Sequence, residues 1–349
     1  MKKFKTLLAA GCLALAVTAC NTDTTPTKVA DPTTQEAQTT VAGDTQAPAD
    51  TTAEKPEETK ATEEVKPTEE VKPTEEVKPT EAPKETKAPS ETKAEKEEKA
   101  VITLADDGKT TVEGGAKDCV FLEGKKVIIQ KPGTYVVSGT LTDGQLRVEV
   151  TKEDKVEIEF KGVDITNKDG APFYAVSADK VVIELKKDTV NKLTDSQVYE
   201  FEDDSEEPNA CLFVKDDLTI KGKGELIVNG NYNNGIVTKD DLKITGGTIT
   251  VKAAKNGIRG NDSITIKDGT ITVDAVKDGF KVSNEEDAEK GFFLMEGGTV
   301  VVDAGDDAIQ AVTSVKIEGG NVTYRADSKS IKCDGTVEVK DGTMTEKTK

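Results

Sequence analysis

A repeat dominates this chain. A phrase of the form Leu-Lys-Ile-Thr-Gly-Gly-Thr-Ile-Thr-Val recurs with its first apolar residue at Val127, Val156, Val181, Leu218, Leu242, Ile264, Phe293, Val315 and Val337. The steps are 29, 25, 37, 24, 22, 29, 22 and 22 residues, a base period of 22 with insertions. A unit this short cannot bury its own apolar face, so neighbouring units must stack to cover it. Within each period apolar and polar residues alternate, as in Ile264-Thr265-Ile266 and Ile271-Thr272-Val273, the pattern of strands buried on one face. The corners are Gly246-Gly247, Asp268-Gly269, Gly297-Gly298, Gly319-Gly320 and Asp341-Gly342, where glycine supplies a positive φ. With a third short strand around Gly257-Ile258-Arg259, each period makes one coil. The expected fold is all-β, a single-stranded parallel β-helix of about nine coils and roughly 43 Å at ~4.8 Å per coil. Its register puts Ile236, Ile258, Phe280, Ile309 and Ile331 in one inward column.

The repeat occupies residues 101–349, and what precedes it has no core-forming composition. Residues 1–20 read as a lipoprotein signal peptide: Lys2, Lys3 and Lys5, then an apolar run from Leu7 to Val17 that is too short to span a bilayer. Val17-Thr18-Ala19-Cys20 resembles a bacterial lipobox, which makes Cys20 the expected lipidation site and the membrane lipid a partner through that anchor. Residues 21–100 are rich in Thr, Pro, Glu and Lys, with Glu-Glu-Val-Lys-Pro-Thr three times from residue 63 to 80. Such a segment is expected to be a disordered, extended spacer that holds the folded part away from the membrane, outside the cytoplasm. Of the remaining cysteines, Cys211 and Cys333 lie five coils apart, roughly 24 Å, beyond disulfide reach. Cys119, Cys211 and Cys333 are expected as thiols.

Absent residues exclude whole chemistries. The chain has no His, so Ser-His-Asp and Cys-His nucleophiles and His-ligated zinc are ruled out. It has no Trp, which removes a tryptophan platform for sugars, and its five tyrosines are scattered along the sequence. A net charge of −19 argues against nucleic acid as a partner, because phosphate contacts need a basic footprint.

Four phrases carry a family resemblance: Pro132-Gly133-Thr134-Tyr135-Val136-Val137-Ser138-Gly139; Asn209-Ala210 with Lys215-Asp216-Asp217-Leu218-Thr219-Ile220; Asn231-Tyr232-Asn233-Asn234-Gly235-Ile236; and Lys239-Asp240-Asp241-Leu242-Lys243-Ile244-Thr245-Gly246-Gly247-Thr248. With them the chain resembles the carbohydrate-binding β-helix domains of exported proteins from clostridial-type bacteria. The resemblance implies a right-handed β-helix similar to calcium-dependent polysaccharide lyases. It also implies binding of acidic or plant cell-wall polysaccharide, with calcium along the coils. The chain departs from the pattern in its last coils, where Lys329 stands in a position that earlier coils fill with Asn or Asp.

Stacked coils turn a repeated position into a column of side chains. One column reads Asn234, Asn256, Asp278, Asp307, Lys329, and an outward one reads Val237, Arg259, Lys281, Gln310, Lys332. Arg259, Lys281, Gln310 and Lys332 are the candidate carbohydrate-binding residues, since Arg and Lys pair the carboxylates of acidic sugars. Calcium takes about six to eight oxygens, and the candidate ligands are Asp216, Asp240, Asp262, Asp278, Asn284, Asp287 and Asp307. No calcium loop motif accompanies them, and the same residues also serve as turn caps. The insertion 284–290 concentrates oxygens beside Asp278 and Lys281, while the acidic insertion 194–208, with Tyr199 and Phe201, reads as a solvated loop. Three readings stand: a non-catalytic polysaccharide binder, a calcium-dependent lyase with Lys281 or Arg259 as base, and a cell-wall spacer without ligand.

Overall fold

The computed structural model describes residues 99–115 and 117–348. The expected signal peptide, Cys20 and residues 21–98 of the expected spacer lie outside the described residues; its last two residues belong to the fold, Lys99 pairing with Glu159 and the buried Ala100 opening the first strand, Ala100–Leu104. The described chain is all-β apart from a single 3-10 turn, Lys117–Cys119, and its strands form two sheets of sixteen and ten strands. Among these residues no helix is long and apolar enough to cross a membrane.

The alternating phrase forms long strands of the first sheet. In Asp241–Ala253 and Ser263–Ala275 the apolar side chains turn inward and the Lys and Thr residues between them outward. Strands one period apart pair in parallel, which stacks Gly133, Val156, Val181, Leu218, Leu242, Ile264, Phe293, Val315 and Val337. Eight of the nine expected anchors thus share a column. The exception is Val127, which pairs with Leu146 in the second sheet. Gly133 takes the anchor place, and the inward pattern of that coil resumes at Tyr135, which is fully buried.

The second sheet is built from short strands. Its inward column is Val127, Leu146, Phe173, Leu212, Ile236, Ile258, Phe280, Ile309 and Ile331, as the register of the five later residues predicts. Side chains from both sheets form one continuous core. Burying each of these side chains contributes roughly 1.5–3 kcal/mol relative to exposure. The architecture is therefore a parallel, solenoid-like stack around a common core.

Two glycine roles fix the corners. Gly247, Gly269, Gly298 and Gly320 adopt positive φ between 82° and 122°, whereas Gly342, at the fifth predicted corner, does not. Gly257 serves differently: a Cβ there would lie 2.2 Å from Val273 Cγ1 and 2.7 Å from the Gly279 carbonyl oxygen. The turn into the second sheet must therefore press directly against the first.

The two ends differ. At the first, Thr111–Glu113 and Val120–Glu123 each pair antiparallel and edge one sheet. At the other, Val337 and Val339 occupy inward positions but are 51% and 43% exposed, and Ile331 is half-buried. Cys119, Cys211 and Cys333 are unpaired thiols, as expected. Ile258→Ala should cost about 2–5 kcal/mol in urea unfolding, the cost of a cavity in a closed core. Ile331→Ala, in the half-buried rung, should cost clearly less. Equal losses at both sites would contradict the column.

Candidate functional site

The outward face of the second sheet carries the predicted basic residues in one column. Backbone register stacks Val237, Arg259, Lys281, Gln310 and Lys332. Lys281 donates to Gln310 Oε1 at 2.7 Å and to Asp278 Oδ2 at 3.0 Å. Lys332 sits 3.8 Å from Asp307 Oδ2. A small cavity of about 90 Å³ opens among Lys281, Gln310, Lys332 and Glu285.

Arg259 is the exception in this column. Its Nε and Nη2 donate only to the Ser283 hydroxyl, at 3.3 and 3.0 Å. The chain's other arginines, Arg147 and Arg325, have carboxylate partners, and among the described residues Arg259 has none in ion-pair contact. Burial pushes its guanidinium pKa down, against a Coulombic pull from Glu207. A half-buried guanidinium with unused donors beside a lysine is a ready receptor for a carboxylate.

At the corner before this sheet runs the predicted polar column. Asn234, Asn256, Asp278 and Asp307 are all buried. Asn256 Nδ2 donates to Asn234 Oδ1 at 2.9 Å. The backbone N–H of each following rung donates to the Oδ1 beneath it: Asp278 to Asn256, Asp307 to Asp278, and Lys329 to Asp307. This column first caps turns. Where Asp replaces Asn, it also gathers charge, because Asp278, Asp306 and Asp307 place carboxylate oxygens within 4.8 Å of one another. Asp306 escaped the sequence reading because it lies one residue outside the repeating column. Its only signal is the doubled acid Asp306-Asp307, where the other coils read Asn233-Asn234, Lys255-Asn256, Lys277-Asp278 and Ser328-Lys329.

The remaining predicted ligands lie elsewhere. Asp216, Asp240 and Asp262 belong to the corner that follows the second sheet. Asp216 Oδ2 accepts from the Ala178 N–H at 3.0 Å. Burial, then Asp262 and Asp216, raise the pKa of the Asp240 carboxyl. Burial works upward on Asp262 too, but hydrogen bonds from Lys290, Asn284 and Asn261 hold it below the usual range. Asn284 Nδ2 donates to Asp262 Oδ1 at 2.7 Å, and its own Oδ1 accepts from the Glu286 and Asp287 N–H groups. Asp287 is exposed and accepts from the Glu289 N–H. Asn284 and Asp287 thus shape their own loop; they do not join Asp278, from which the strand Phe280–Val282 separates them.

The acidic insertion is solvated only in part: Glu200 and residues 202–206 are exposed as expected, but Asp195 and Tyr199 are buried, and Tyr199 meets Tyr232 from another coil. Tyr199 is buried, donates to Asp195 Oδ2 at 2.6 Å and stacks on Tyr232 with ring centroids 4.3 Å apart. Phe201 completes this group, while Tyr174 packs edge-on against Phe213 on the outer face of the second sheet. Glu202 pairs with Arg147 and Lys126, and Glu207 with Lys215 and Lys239. Burial pushes the Asp195 carboxyl up to about 6, against its hydrogen bonds from Tyr199 and the Asn231 N–H.

Comparison with known proteins agrees with this architecture. Residues 123–349 match the family model described as carbohydrate-binding domain-containing protein, and the chain belongs to that family. A relative from Acetivibrio thermocellus with the same description is 56% identical over 201 residues, covering 57% of this chain and 70% of the relative. The solved structure of a polysaccharide lyase-like protein from C. thermocellum, a gadolinium derivative, superposes with a TM-score of 0.69 at 45% identity. That match covers 71% of this chain and all of the other.

Asp195 yields a pH prediction. Its folded pKa lies above the unfolded value of about 3.9, so the folded state binds the extra proton between the two. Its contribution to stability is therefore greatest at low pH and is lost as pH rises through about 6. Asp195→Asn removes that loss. Relative to wild type, the variant should gain up to about 3 kcal/mol between pH 4 and pH 7 in paired urea titrations. A constant difference across that window would contradict the assignment.

Proposed function

We propose that the chain is a surface-anchored, non-catalytic binder of acidic polysaccharide such as polygalacturonate, built as a right-handed parallel β-helix of about nine coils. The observation that carries this reading is Arg259: a half-buried guanidinium without a carboxylate, stacked beside Lys281, Gln310 and Lys332. Uronate units supply the missing carboxylates, and a column at ~4.8 Å spacing presents several cations to one polymer. Family membership supports polysaccharide as the partner class.

Calcium fits one donor set. Asp278, Asp306 and Asp307 offer clustered hard oxygen donors of the kind that ion takes. The other acidic cluster, Glu157, Glu159 and Glu184, is already matched by the ammonium groups of Lys99, Lys186 and Lys221. Calcium held by the three aspartates would substitute for Lys281 and Lys332 as their counter-charge. Both lysines reach water, with side chains 29% and 47% exposed, and are then free to meet the polymer. The lyase alternative needs an uncharged Lys281 or Arg259. Lys281 instead acts as a donor twice, to Asp278 Oδ2 and to Gln310 Oε1.

Polygalacturonate pull-down with calcium and with chelator tests the reading. Retention should fall with chelator, and Asp278→Asn, which keeps the Oδ1 that caps the Asp307 N–H, should reproduce the fall while the fold melts normally. Lys281→Ala with Lys332→Ala should weaken binding about tenfold or more, the effect of two lost charge-assisted contacts. Undiminished retention by that double variant would refute the assigned face. Calcium-dependent release of unsaturated uronides would make the protein a lyase.

In the same reading, residues 1–20 direct export, Cys20 carries the lipid, residues 21–100 form a spacer, and residues 101–349 bind. Palmitate labelling should be lost in Cys20→Ser, and equal labelling of both chains would rule out the anchor.

A further inference from the structure

The outer column that carries Arg259 holds a second arginine four rungs away. Register runs from Arg147 through Tyr174, Phe213 and Val237 to Arg259. At ~4.8 Å per rung the two guanidinium positions lie roughly 19 Å apart along one face. Arg147 donates from Nη1 and Nη2 to the two carboxylate oxygens of Glu202, at 2.9 and 3.0 Å, and from Nε to Glu149. Lys126 also reaches Glu202.

The partners in this pair are unequal. The Arg147 side chain is 10% exposed, whereas that of Glu202 is 51% exposed. The guanidinium belongs to a sheet strand and lies 4.9 Å from the centre of the Tyr174 ring, within hydrogen-bonding distance of Gln145 Oε1. The carboxylate comes from the insertion between strands. The cation is therefore built in, and the anion is the group that can leave. Beside the pair lies a cavity of about 270 Å³ walled by Tyr174, Tyr199 and Phe201. It adjoins a second of about 370 Å³, and the two share Lys125 and Lys126.

We propose that Arg147 and Lys126 form a second carboxylate subsite for an acidic sugar, in which Glu202 holds the place of the ligand's carboxylate. The proposal rests on the reading of the chain as a binder of acidic polysaccharide. Exchanging Glu202 for a uronate replaces one carboxylate with another, so the buried guanidinium is never left unpaired. The aromatic walls then cover the apolar faces of the sugar ring, as tyrosine does where one end of a ligand is apolar and the other wet. Glu202 is tethered, so it competes at an effective concentration in the millimolar range, and removing its charge should favour the external ligand.

Calorimetric titration of the full chain with oligogalacturonate tests this, using Glu202→Gln and Lys126→Ala alone and in a chain also carrying Lys281→Ala and Lys332→Ala. Thermal melts verify that each variant is folded. Glu202→Gln should tighten binding about tenfold by removing the tethered competitor, and Lys126→Ala should weaken it, in both backgrounds. Affinities identical to the parent for both variants overturn the proposal; if Lys281→Ala with Lys332→Ala still weakens binding, the earlier reading stands. Binding that depends on Lys126 but not on Lys281 and Lys332 keeps this subsite and overturns the earlier face. Absence of binding in every variant overturns both.

Discussion

Parallel pairing at a 22-residue offset forces equivalent positions of successive coils onto one another, and this stacking governs the rest of the molecule. Leu242, Ile264 and Phe293 share a column because their backbones exchange hydrogen bonds, and a one-residue slip would turn each of them to solvent. The same constraint acts on polar residues. Once a coil presents a charge, the next coil presents its own about 4.8 Å away, and like charges must be separated or neutralised. On the first sheet Glu159 stacks on Glu184, and lysines from three different coils surround the pair. On the second sheet Arg259 stacks over Lys281; Lys281 has the Asp278 carboxylate, whereas among the described residues Arg259 has no carboxylate in ion-pair contact. Stacking therefore converts a local sequence choice into an electrostatic demand, met on the first sheet by lysines and left open at Arg259.

The corner column shows how a structural device becomes a chemical one. Asn234 and Asn256 use the amide both ways: the carbonyl accepts from the rung above, and Nδ2 donates to the rung below. An aspartate keeps the first function and loses the second, since a carboxylate has no donor. Asp278 and Asp307 still accept the backbone N–H of the next coil through Oδ1, and each turns its Oδ2 toward a lysine. The turn geometry survives the change from Asn to Asp, while a buried charge is added that requires a counter-ion. Lys329 ends the series, continuing the ladder through its backbone alone.

Legibility in the sequence followed the repeat. From Leu218 onward, where steps are 22 to 24 residues apart from one of 29 that holds the insertion 284–290, counting places the inward column and the outward column Arg259, Lys281, Gln310, Lys332. Val127 was misplaced because counting assumes that every alternating apolar run plays the same part. The run at Lys126–Ile129 belongs to the other sheet, and only pairing distinguishes the two. Sequence proximity puts Asp287 near Asp278, whereas the strand between them carries the chain to a different corner. The aromatic cluster was hidden for a related reason. Tyr174, Tyr199 and Tyr232 come from different coils and an insertion, and an insertion is where a period carries no positional information.

Net charge over the whole domain is of the sign that repels an anion, since residues 101–349 hold 33 basic against 46 acidic residues. Range decides the matter. At physiological ionic strength the screening length is about 8 Å, so charges several coils away contribute little. Neighbouring rungs, about 4.8 Å apart, remain within that length. The local field over Arg259 and Lys281 is therefore set by the column itself and by the adjacent aspartates, not by the net charge. Those aspartates oppose an anion from within that range, as do Glu207 and Glu285, and Lys281 and Lys332 are drawn toward Asp278 and Asp307. Any cation that took over the pairing of Asp278 and Asp307 would therefore act twice, removing the nearest repulsion and returning two lysines to the face. On the proposed reading, affinity for a polyanion would thus be tied to the charge state of a corner that the polymer need not touch.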